Sequence, residues 1–421
     1  MYRDILKNAD YRKLLFANVI NDFGDSIDAI AFTWLTYQLS HSASLSALVL
    51  AANLLPTVIF QPLFSPITDR LPKKPVMAVC DFIRGGLVGI FLLLYLTGSL
   101  EAWMLLAFTF AMNTVESFRT PAGIGMLPRL VGKEEYERAS SLMRSACTVA
   151  DLAGTGLAGI IAAFSMGTAF GIDLLTFVLS GLLILGIRFR ESIAPQAERK
   201  GYFTELKGGF RYLGKNQLFL LIVAGAVLFN SVGTILGCLM APYISDVFRG
   251  GSMALSMFGV AQTAGMLLAF YFYPKISEKI PYRAQFLAGY AALAAGYAAL
   301  TVFPALGWFR YPAAGLFMFA WGGVLGITNS FFSVQFVRIV EPDYLGRATA
   351  VFNSVGCCVS PVMSLLVAGM ASFLSVQGIL LIGAAAAAVI FVILTRLKIC
   401  RALNREEKPA MMEGEQNLGA D

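Results

Sequence analysis

The sequence predicts an all-α membrane protein of twelve transmembrane helices, arranged as two related six-helix halves. Charged residues make up 14% of the 421 positions and hydrophobic residues 57%, whereas a soluble domain carries about 25% charged residues. The apolar stretches are each about 20 residues long, which is enough to cross a hydrocarbon core of about 30 Å. Two loop sequences also recur at one common spacing, which indicates two halves built in the same way.

The internal repeat has an offset of 209 residues. Residues 67–74 (ITDRLPKK) align with residues 276–283 (ISEKIPYR), and residues 130–145 align with residues 339–354 at the same offset. Two loops that agree on one offset are hard to obtain by chance. We therefore expect pseudo-symmetric halves with equal numbers of spans.

Hydropathy divides the chain into six predicted spans in each half. The spans are 12–38, 43–64, 75–97, 101–121, 140–164, 167–188, 218–244, 253–273, 284–304, 311–336, 348–373 and 376–396. The N-terminal half is predicted to comprise residues 1–188 and the C-terminal half residues 218–400. The tail, residues 401–421, is polar and aperiodic, and we expect it to be disordered.

The longest connection between spans, residues 189–217, is predicted to be a cytoplasmic linker. Phe203, Leu206, Phe210 and Leu213 recur in it at spacings of three and four. This spacing predicts a short amphipathic helix that lies on the membrane or on the helix ends.

The basic residues predict the orientation. With the N-terminus in the cytoplasm, every Lys and Arg lies on the cytoplasmic side except Arg84, Arg249 and Arg310. This positive-inside pattern predicts a multi-pass protein of the cell membrane with both termini in the cytoplasm. The net charge of +6 then belongs to loops beside anionic lipid, and no compact basic domain favours nucleic acid as a partner.

Cysteine and histidine give no sign of a metal or cofactor site. The six cysteines form no CxxC pattern, and His41 is the only histidine. We therefore expect no metal and no cofactor.

The last six spans hold no charged residue in their interiors, whereas the first six do. The candidates in the first half are Asp22, Asp25, Asp28, Asp81, Arg84, Glu116, Asp151 and Asp173. Their counterparts at the repeat offset are all uncharged. A charge at this depth costs several kcal/mol, so it usually marks a substrate pathway or a coupling site.

Three of these carboxylates follow one another on the first span. Asp22, Asp25 and Asp28 are spaced by three residues, so they share one helix face, and their own helix offers no basic partner. They cannot all ionise cheaply in a low dielectric, so we expect at least one to carry a proton near neutral pH. The trio is the predicted proton-coupling and substrate site. Glu116 and Asp151 are further candidates.

Other charged residues have possible partners at helical spacing. Asp81 and Arg84 are predicted to form a structural ion pair, because they lie three residues apart. Glu116 and Arg119 have the same spacing, so a structural pair is the alternative there. Asp173 lies near a predicted external helix end and is expected to be structural.

The whole chain resembles the major facilitator superfamily, and within it the bacterial drug-exporter branch that includes macrolide-efflux proteins and the enterobactin exporter. The segments that carry the resemblance are 65–74 (SPITDRLPKK), 118–130 (FRTPAGIGMLPRL), 203–216 and 341–352 (EPDYLGRATAVF). The first resembles the superfamily's signature loop, Gly-x-x-x-Asp-Arg-x-Gly-Arg-Lys. Ser65 and Pro72 replace the two glycines of that pattern.

The resemblance implies a conformational latch between the halves. Asp69 would meet the start of the eleventh span near Gly346 and Arg347, where the helix dipole favours a carboxylate. Arg70 and Lys74 would add ionic contacts.

The resemblance also implies a secondary exporter of amphipathic, drug-like or antibiotic-like compounds that works by alternating access. The acidic residues point to cationic or zwitterionic substrates and to proton antiport. Two departures bear on the proton relay: Met112 stands where many proton-coupled members carry arginine, and Gly154, Gly156 and Gly159 occur in the fifth span without the antiporters' proline.

The alternatives are a lipid or lysolipid translocator, a siderophore-type exporter and, more weakly, a nutrient symporter. The expected partners are a small-molecule substrate, protons and membrane lipids, and the protein is expected to be a monomer without enzymatic activity.

Overall fold

The computed structural model describes residues 5–188, 217–340, 345–397 and 400. Within these ranges it leaves some side chains undescribed, among them those of Asp69, Arg70 and Arg347. The described residues form an all-α bundle of eleven α-helices. These are α1 Ala9–Ser40, α2 Ala43–Arg70, α3 Lys73–Leu96, α4 Ala102–Phe164, α5 Met166–Leu185, α6 Gln217–Pro242, α7 Ser252–Lys279, α8 Tyr282–Val302, α9 Arg310–Ile339, α10 Leu345–Met370 and α11 Val376–Arg396.

The predicted fold class is confirmed. Ten helices carry one predicted span each, and their bounds lie within about six residues of the prediction, as the hydropathy argument allows. In the part of the chain that the structure describes, eight helical stretches are long and apolar enough to cross a membrane by length and composition alone. The helix α1 is not one of the eight, because its centre holds three aspartates. The predicted linker up to residue 216 and the predicted tail lie outside the described residues.

The helical segment α4 differs from the prediction, because it carries both the fourth and the fifth span. It runs for 63 residues, and a straight helix of that length would measure about 95 Å. We call residues 102–121 its first arm and residues 140–164 its second arm. Both arms contact neighbouring residues of α1, as described below, so the segment reverses direction between them. Pro121 and Pro128 lie at this reversal, where each proline removes a helix hydrogen bond.

Polar caps fix where several helices begin. Asn8 accepts hydrogen bonds from the backbone N–H groups of Asp10 and Tyr11 at the start of α1. Ser42 and Ser165 cap α2 and α5 in the same manner. We call the end of the bundle that holds the start of α1 the near end, and the end that holds the connection between α1 and α2 the far end.

The two halves pack against each other through few elements. The helix α2 contacts α10, and the second arm of α4 contacts α7. The largest apolar core lies in the second half, but it also includes Trp34, Tyr37 and Ala47 from α1 and α2 of the first half. Apolar packing therefore continues across the boundary between the halves.

Candidate functional site

A cavity of about 330 Å³ lies where the first half meets the second. Its charged lining is Asp25, Asp28, Arg84 and Glu116, which come from α1, α3 and the first arm of α4. Gly237 and Cys238 of α6 line the side that belongs to the second half. The remaining lining mixes polar and apolar side chains. It consists of Ala29, Phe32, Thr33, Thr36, Ser46, Val49, Leu50, Asn53, Thr109, Met112 and Asn113.

One arginine joins two of the carboxylates. Arg84 Nη2 lies 2.7 Å from Asp25 Oδ1, and Arg84 Nη1 lies 2.6 Å from Glu116 Oε2. The Arg84 side chain is only 8% exposed, whereas those of Asp25 and Glu116 are 33% and 26% exposed. The carboxylates therefore face the cavity, and the guanidinium group lies behind them. It also lies over the Phe177 ring, with 4.2 Å between the guanidinium carbon and the ring centroid, which is a cation–π distance.

Each of these carboxylates has a second donor. Asn21 Nδ2 donates to Asp25 Oδ2 at 2.7 Å, and Thr120 Oγ1 donates to Glu116 Oε1 at 2.7 Å. Charge-assisted bonds of this kind hold an ionised carboxylate in one orientation. We call Asp25, Arg84 and Glu116 the charge triad.

The predicted ion pair between Asp81 and Arg84 is wrong. Asp81 accepts a hydrogen bond from Arg119 Nε and another, at 2.6 Å, from Ser180 Oγ. Arg84 turns the other way, to the charge triad. The three-residue spacing along α3 placed Asp81 and Arg84 near one face of that helix. In the structure each forms its ion pair with a residue of a neighbouring helix instead.

The alternative ion pair, Glu116 with Arg119, does not form in the structure either. Glu116 binds Arg84, and Arg119 binds Asp81 and also donates from Nη2 to Asn18 Oδ1 at 3.3 Å. Asp81 is fully buried, so this contact ties α3, the first arm of α4 and α5 together behind the cavity.

The other predicted coupling residues lie in different places. Asp28 lines the cavity with Asp25, whereas Asp22 and Asp151 do not line it. Asp151, on the second arm of α4, is exposed and accepts a hydrogen bond from Ser26 Oγ. The predicted trio is therefore divided: two members lie in the cavity, and Asp22 lies one turn towards the near end.

Two functional features escaped the sequence analysis. Arg84 was assigned to Asp81, although an arginine deep within a span could have been recognised as a partner for carboxylates on neighbouring spans. Asp173 was placed near a helix end, but it is fully buried and lies against α1 at Gly24.

The predicted latch is described only in part. The side chains of Asp69, Arg70 and Arg347 and the surroundings of Gly346 are not described. Lys74 is described, and its Nζ donates to the Ile187 carbonyl at 2.6 Å. That contact lies within the first half, at the end of α5.

Hydrogen bonds connect the two halves at the far end. The Tyr37 hydroxyl donates to the Asp246 carboxylate, and Ser252 Oγ donates to the Gly159 carbonyl at 3.1 Å. The second contact joins the second arm of α4 to the first turn of α7. Both contacts hold the two halves together at the far end.

Comparison with known proteins agrees with this architecture. A family model described as Major Facilitator Superfamily matches residues 14–364. An uncharacterised MFS-type transporter of Bacillus subtilis, YkuC, is 26% identical over 369 residues, which cover 82% of this chain and 82% of that protein. Macrolide efflux protein A of Enterococcus faecalis is 24% identical over 328 residues, which cover 75% of this chain and 99% of that protein.

A solved structure has the same fold. A mutant form of the nucleoside transporter NupG superposes with a TM-score of 0.73 at 14% identity, over 94% of this chain and 99% of that one. At this identity the match shows the fold alone.

Proposed function

The chain belongs to the Major Facilitator Superfamily, and from that premise we propose that it exports amphipathic, cationic or zwitterionic small molecules by proton antiport. Membership makes it a multi-pass membrane transporter rather than an enzyme. The efflux function named for the relative from Enterococcus faecalis supports export. In the proposed orientation the near end, with most of the basic residues, faces the cytoplasm.

The charge of the cavity is the observation that carries the proposal. Asp25, Asp28 and Glu116 contribute three formal negative charges, and Arg84 contributes one positive charge. A low-dielectric site with this excess attracts cations, whether protons or an organic ammonium group. Phe32, Val49 and Met112 supply apolar surface beside the acids, as an amphipathic ligand requires.

The charge triad provides a place where a proton changes the local balance. With both carboxylates ionised, Arg84 leaves a net charge of −1 on the triad; one added proton makes it neutral. The second carboxylate then keeps Arg84 as its partner. We propose that Asp25 carries the coupling proton, with Asp22 as the secondary candidate, and that Asp28 attracts the substrate.

Transport in proteoliposomes tests this function. Fluorescent organic cations and fluorescent lysolipids would be followed separately, with and without an imposed pH gradient. Uphill movement of the cation with counterflow of protons supports the proposal. Lysolipid movement at the same rate with and without the pH gradient contradicts the proposed function and favours a lipid translocator.

A further inference from the structure

The connection between α8 and α9 exposes an aromatic tip at the far end. It forms a short 3₁₀ helix, Phe303–Phe309, that turns at Gly307, where φ is +56°. This backbone conformation favours glycine. Trp308 is 90% exposed and Phe309 is 72% exposed, and Leu306 is exposed beside them. Two aromatic side chains that project from one turn indicate a surface that an apolar partner covers.

The tip lies at the height where the hydrocarbon core of the membrane ends. The helix α8 has 21 residues, so it is about 31 Å long, which matches a hydrocarbon core of about 30 Å. The residues that follow it therefore lie at the boundary between acyl chains and headgroups. Val302 and Leu316, on the two helices that flank the tip, are also exposed, so the apolar surface continues from the spans to the tip.

Arg310 follows the tip and is held in place by aromatic rings. Its guanidinium carbon lies 5.3 Å from the centroid of the Phe248 ring and 5.0 Å from that of the Tyr311 ring, which are cation–π distances. The guanidinium group has no carboxylate partner and no hydrogen-bond acceptor among the described residues. Its N–H donors can therefore bind an acceptor from outside the chain, and their planar arrangement matches the oxygens of a phosphate.

Basic charge on the far side is concentrated at this surface. Arg249 and Arg310 are the two basic residues that the sequence analysis placed outside both the cytoplasm and the spans. Arg249 is exposed and comes directly after Phe248, whose ring Arg310 contacts. The carboxylate on the same connection, Asp246, accepts a hydrogen bond from Tyr37. The two exceptions to the positive-inside pattern thus occur together, beside the aromatic tip.

The fold itself does not require these residues. At the repeat offset of 209, residues 306–310 (LGWFR) correspond to residues 97–101 (TGSLE). Gly98 also has a positive φ, +68°, so both halves make a glycine turn at this point. In the first half the turn carries hydroxyl groups and Glu101 where the second half has Leu306, Trp308 and Arg310. The aromatic and basic residues therefore serve a purpose other than the turn.

We infer that residues 306–310 form a lipid anchor in the far leaflet, with Arg310 bound to the phosphate of an anionic phospholipid. Trp308 and Phe309 lie at the boundary of the acyl chains, where amphipathic and aromatic rings are favoured. The phosphate supplies the acceptor that the guanidinium group lacks within the chain. The anchor goes beyond the proposed function, because it requires only that the chain spans a membrane and not that the cavity carries a particular substrate.

Fluorescence quenching in liposomes tests the lipid anchor. The full-length protein would be reconstituted in phosphatidylcholine with a minor fraction of either brominated phosphatidylglycerol or brominated phosphatidylcholine. The contribution of Trp308 is the difference between the parent and Trp308→Phe, so the other tryptophans stay in place. We expect both brominated lipids to quench Trp308. The anionic lipid should quench it more strongly, because Arg310 enriches that lipid beside the tip.

Arg310→Gln separates the phosphate contact from the depth of the tip. The excess quenching by phosphatidylglycerol should be lost, while the quenching by phosphatidylcholine should remain. Arg12→Gln removes the same charge from an exposed position at the near end and should change neither value. Each variant would be measured with and without Trp308→Phe, and size-exclusion chromatography would verify that it folds.

Three results would overturn the inference. Absence of quenching by both brominated lipids would place the tip in water or against a second copy of the chain. Equal quenching by the two lipids in the parent would show that the tip has no site for an anionic phospholipid. An excess that survives in Arg310→Gln would assign the lipid to a different residue.

Discussion

At the scale of single residues, Arg84 organises the chemistry of the cavity. It lies behind the two carboxylates that it bridges: Nη2 donates to Asp25, and Nη1 donates to Glu116 and, at 3.5 Å, also to Asp25 Oδ2. A lysine could not replace it well, because an ammonium group is a point charge without the planar fork that spans two acids. The phenyl ring of Phe177 supports the other face of the guanidinium group.

Replacing Asp25 by asparagine tests the coupling role of the triad. Asp25→Asn fixes a neutral side chain of nearly equal shape, and Arg84 keeps Glu116 as its partner. We expect proton-driven uphill transport to fall to the level of protein-free liposomes. Substrate binding measured at low pH should survive, because the parent carboxyl group is protonated there too.

Asp10→Asn is the control for this experiment, since Asp10 is a near-end carboxylate outside the cavity that lies 3.6 Å from Lys13. If Asp25→Asn accumulates substrate as well as the parent does, Asp25 is not the coupling residue. The search would then move to Glu116 and Asp151.

The sequence located the acidic residues but not their partners. Depth and charge identified Asp25 and Asp28, because a carboxylate in an apolar span is conspicuous in any sequence. The contacts Asp81–Arg119 and Asp25–Arg84 join residues that are 38 and 59 positions apart. Spacing rules apply within one helix, so they cannot reveal which face of a neighbouring helix supplies the partner.

At the scale of elements, small residues set how closely the helices approach. A methyl group at Gly154 would lie 2.6 Å from the Phe23 carbonyl oxygen of α1, and one at Gly159 would lie 2.6 Å from the Ser252 carbonyl oxygen of α7. Both glycines are on the second arm of α4. The first sets the packing within the first half, and the second sets the packing between the halves. Both glycines therefore lie at positions of close helix packing.

Gly159→Val should loosen the far end. The added side chain would meet backbone atoms of α7, which cannot move aside as a flexible side chain can, so the two helices must separate. A cysteine placed by Ser256→Cys, after replacement of the native cysteines, should then react faster with a membrane-impermeant maleimide added at the far side.

Gly171→Val is the matched control, because a methyl group at Gly171 would meet nothing within 4 Å. Equal labelling rates in the two valine variants would show that the contact at Gly159 does not hold the far end closed.

Element bounds were predictable because hydropathy changes sharply at the ends of most spans. The last helix begins and ends at the predicted residues. The connection between the two arms of α4 was not predicted as helix, since its charged residues and Pro128 are typical of a loop. In the structure, Tyr11 donates a hydrogen bond to the Ala139 carbonyl, and Ala122 and Met126 pack into an apolar cluster with α1. Such contacts outweigh a weak local preference.

At the scale of the whole molecule, the transport cycle requires the halves to separate at one end and meet at the other. The described contacts at the far end join the halves there. The predicted latch at the near end would act in the opposite state. The two conformations of the transporter would then be held by different contacts, each of modest strength, which a reversible cycle requires.

Asp69→Asn tests the latch. The substitution removes a charge that the start of α10 would stabilise by about 1 kcal/mol, so the population should shift towards states open at the near end. Accessibility of introduced cysteines from each side of the membrane would measure this shift.

Glu278→Gln is the matched control, because Glu278 is the repeat counterpart of Asp69 in a loop that has diverged further from the signature. If Asp69→Asn leaves accessibility unchanged, Asp69 is a solvated loop charge and the latch does not exist.

The contact between Tyr37 and Asp246 has a geometric consequence. The two residues are 209 positions apart, which is the offset of the internal repeat, so each is the symmetry counterpart of the other. Counterparts that touch must lie close to the pseudo-twofold axis, one on each side of it. In an ancestor with identical halves, the same residue would have met its own copy at this point, and two aspartates would have repelled each other. A tyrosine donor opposite an aspartate acceptor requires that the duplicated sequences have diverged at this position. This hydrogen bond is therefore a product of broken symmetry.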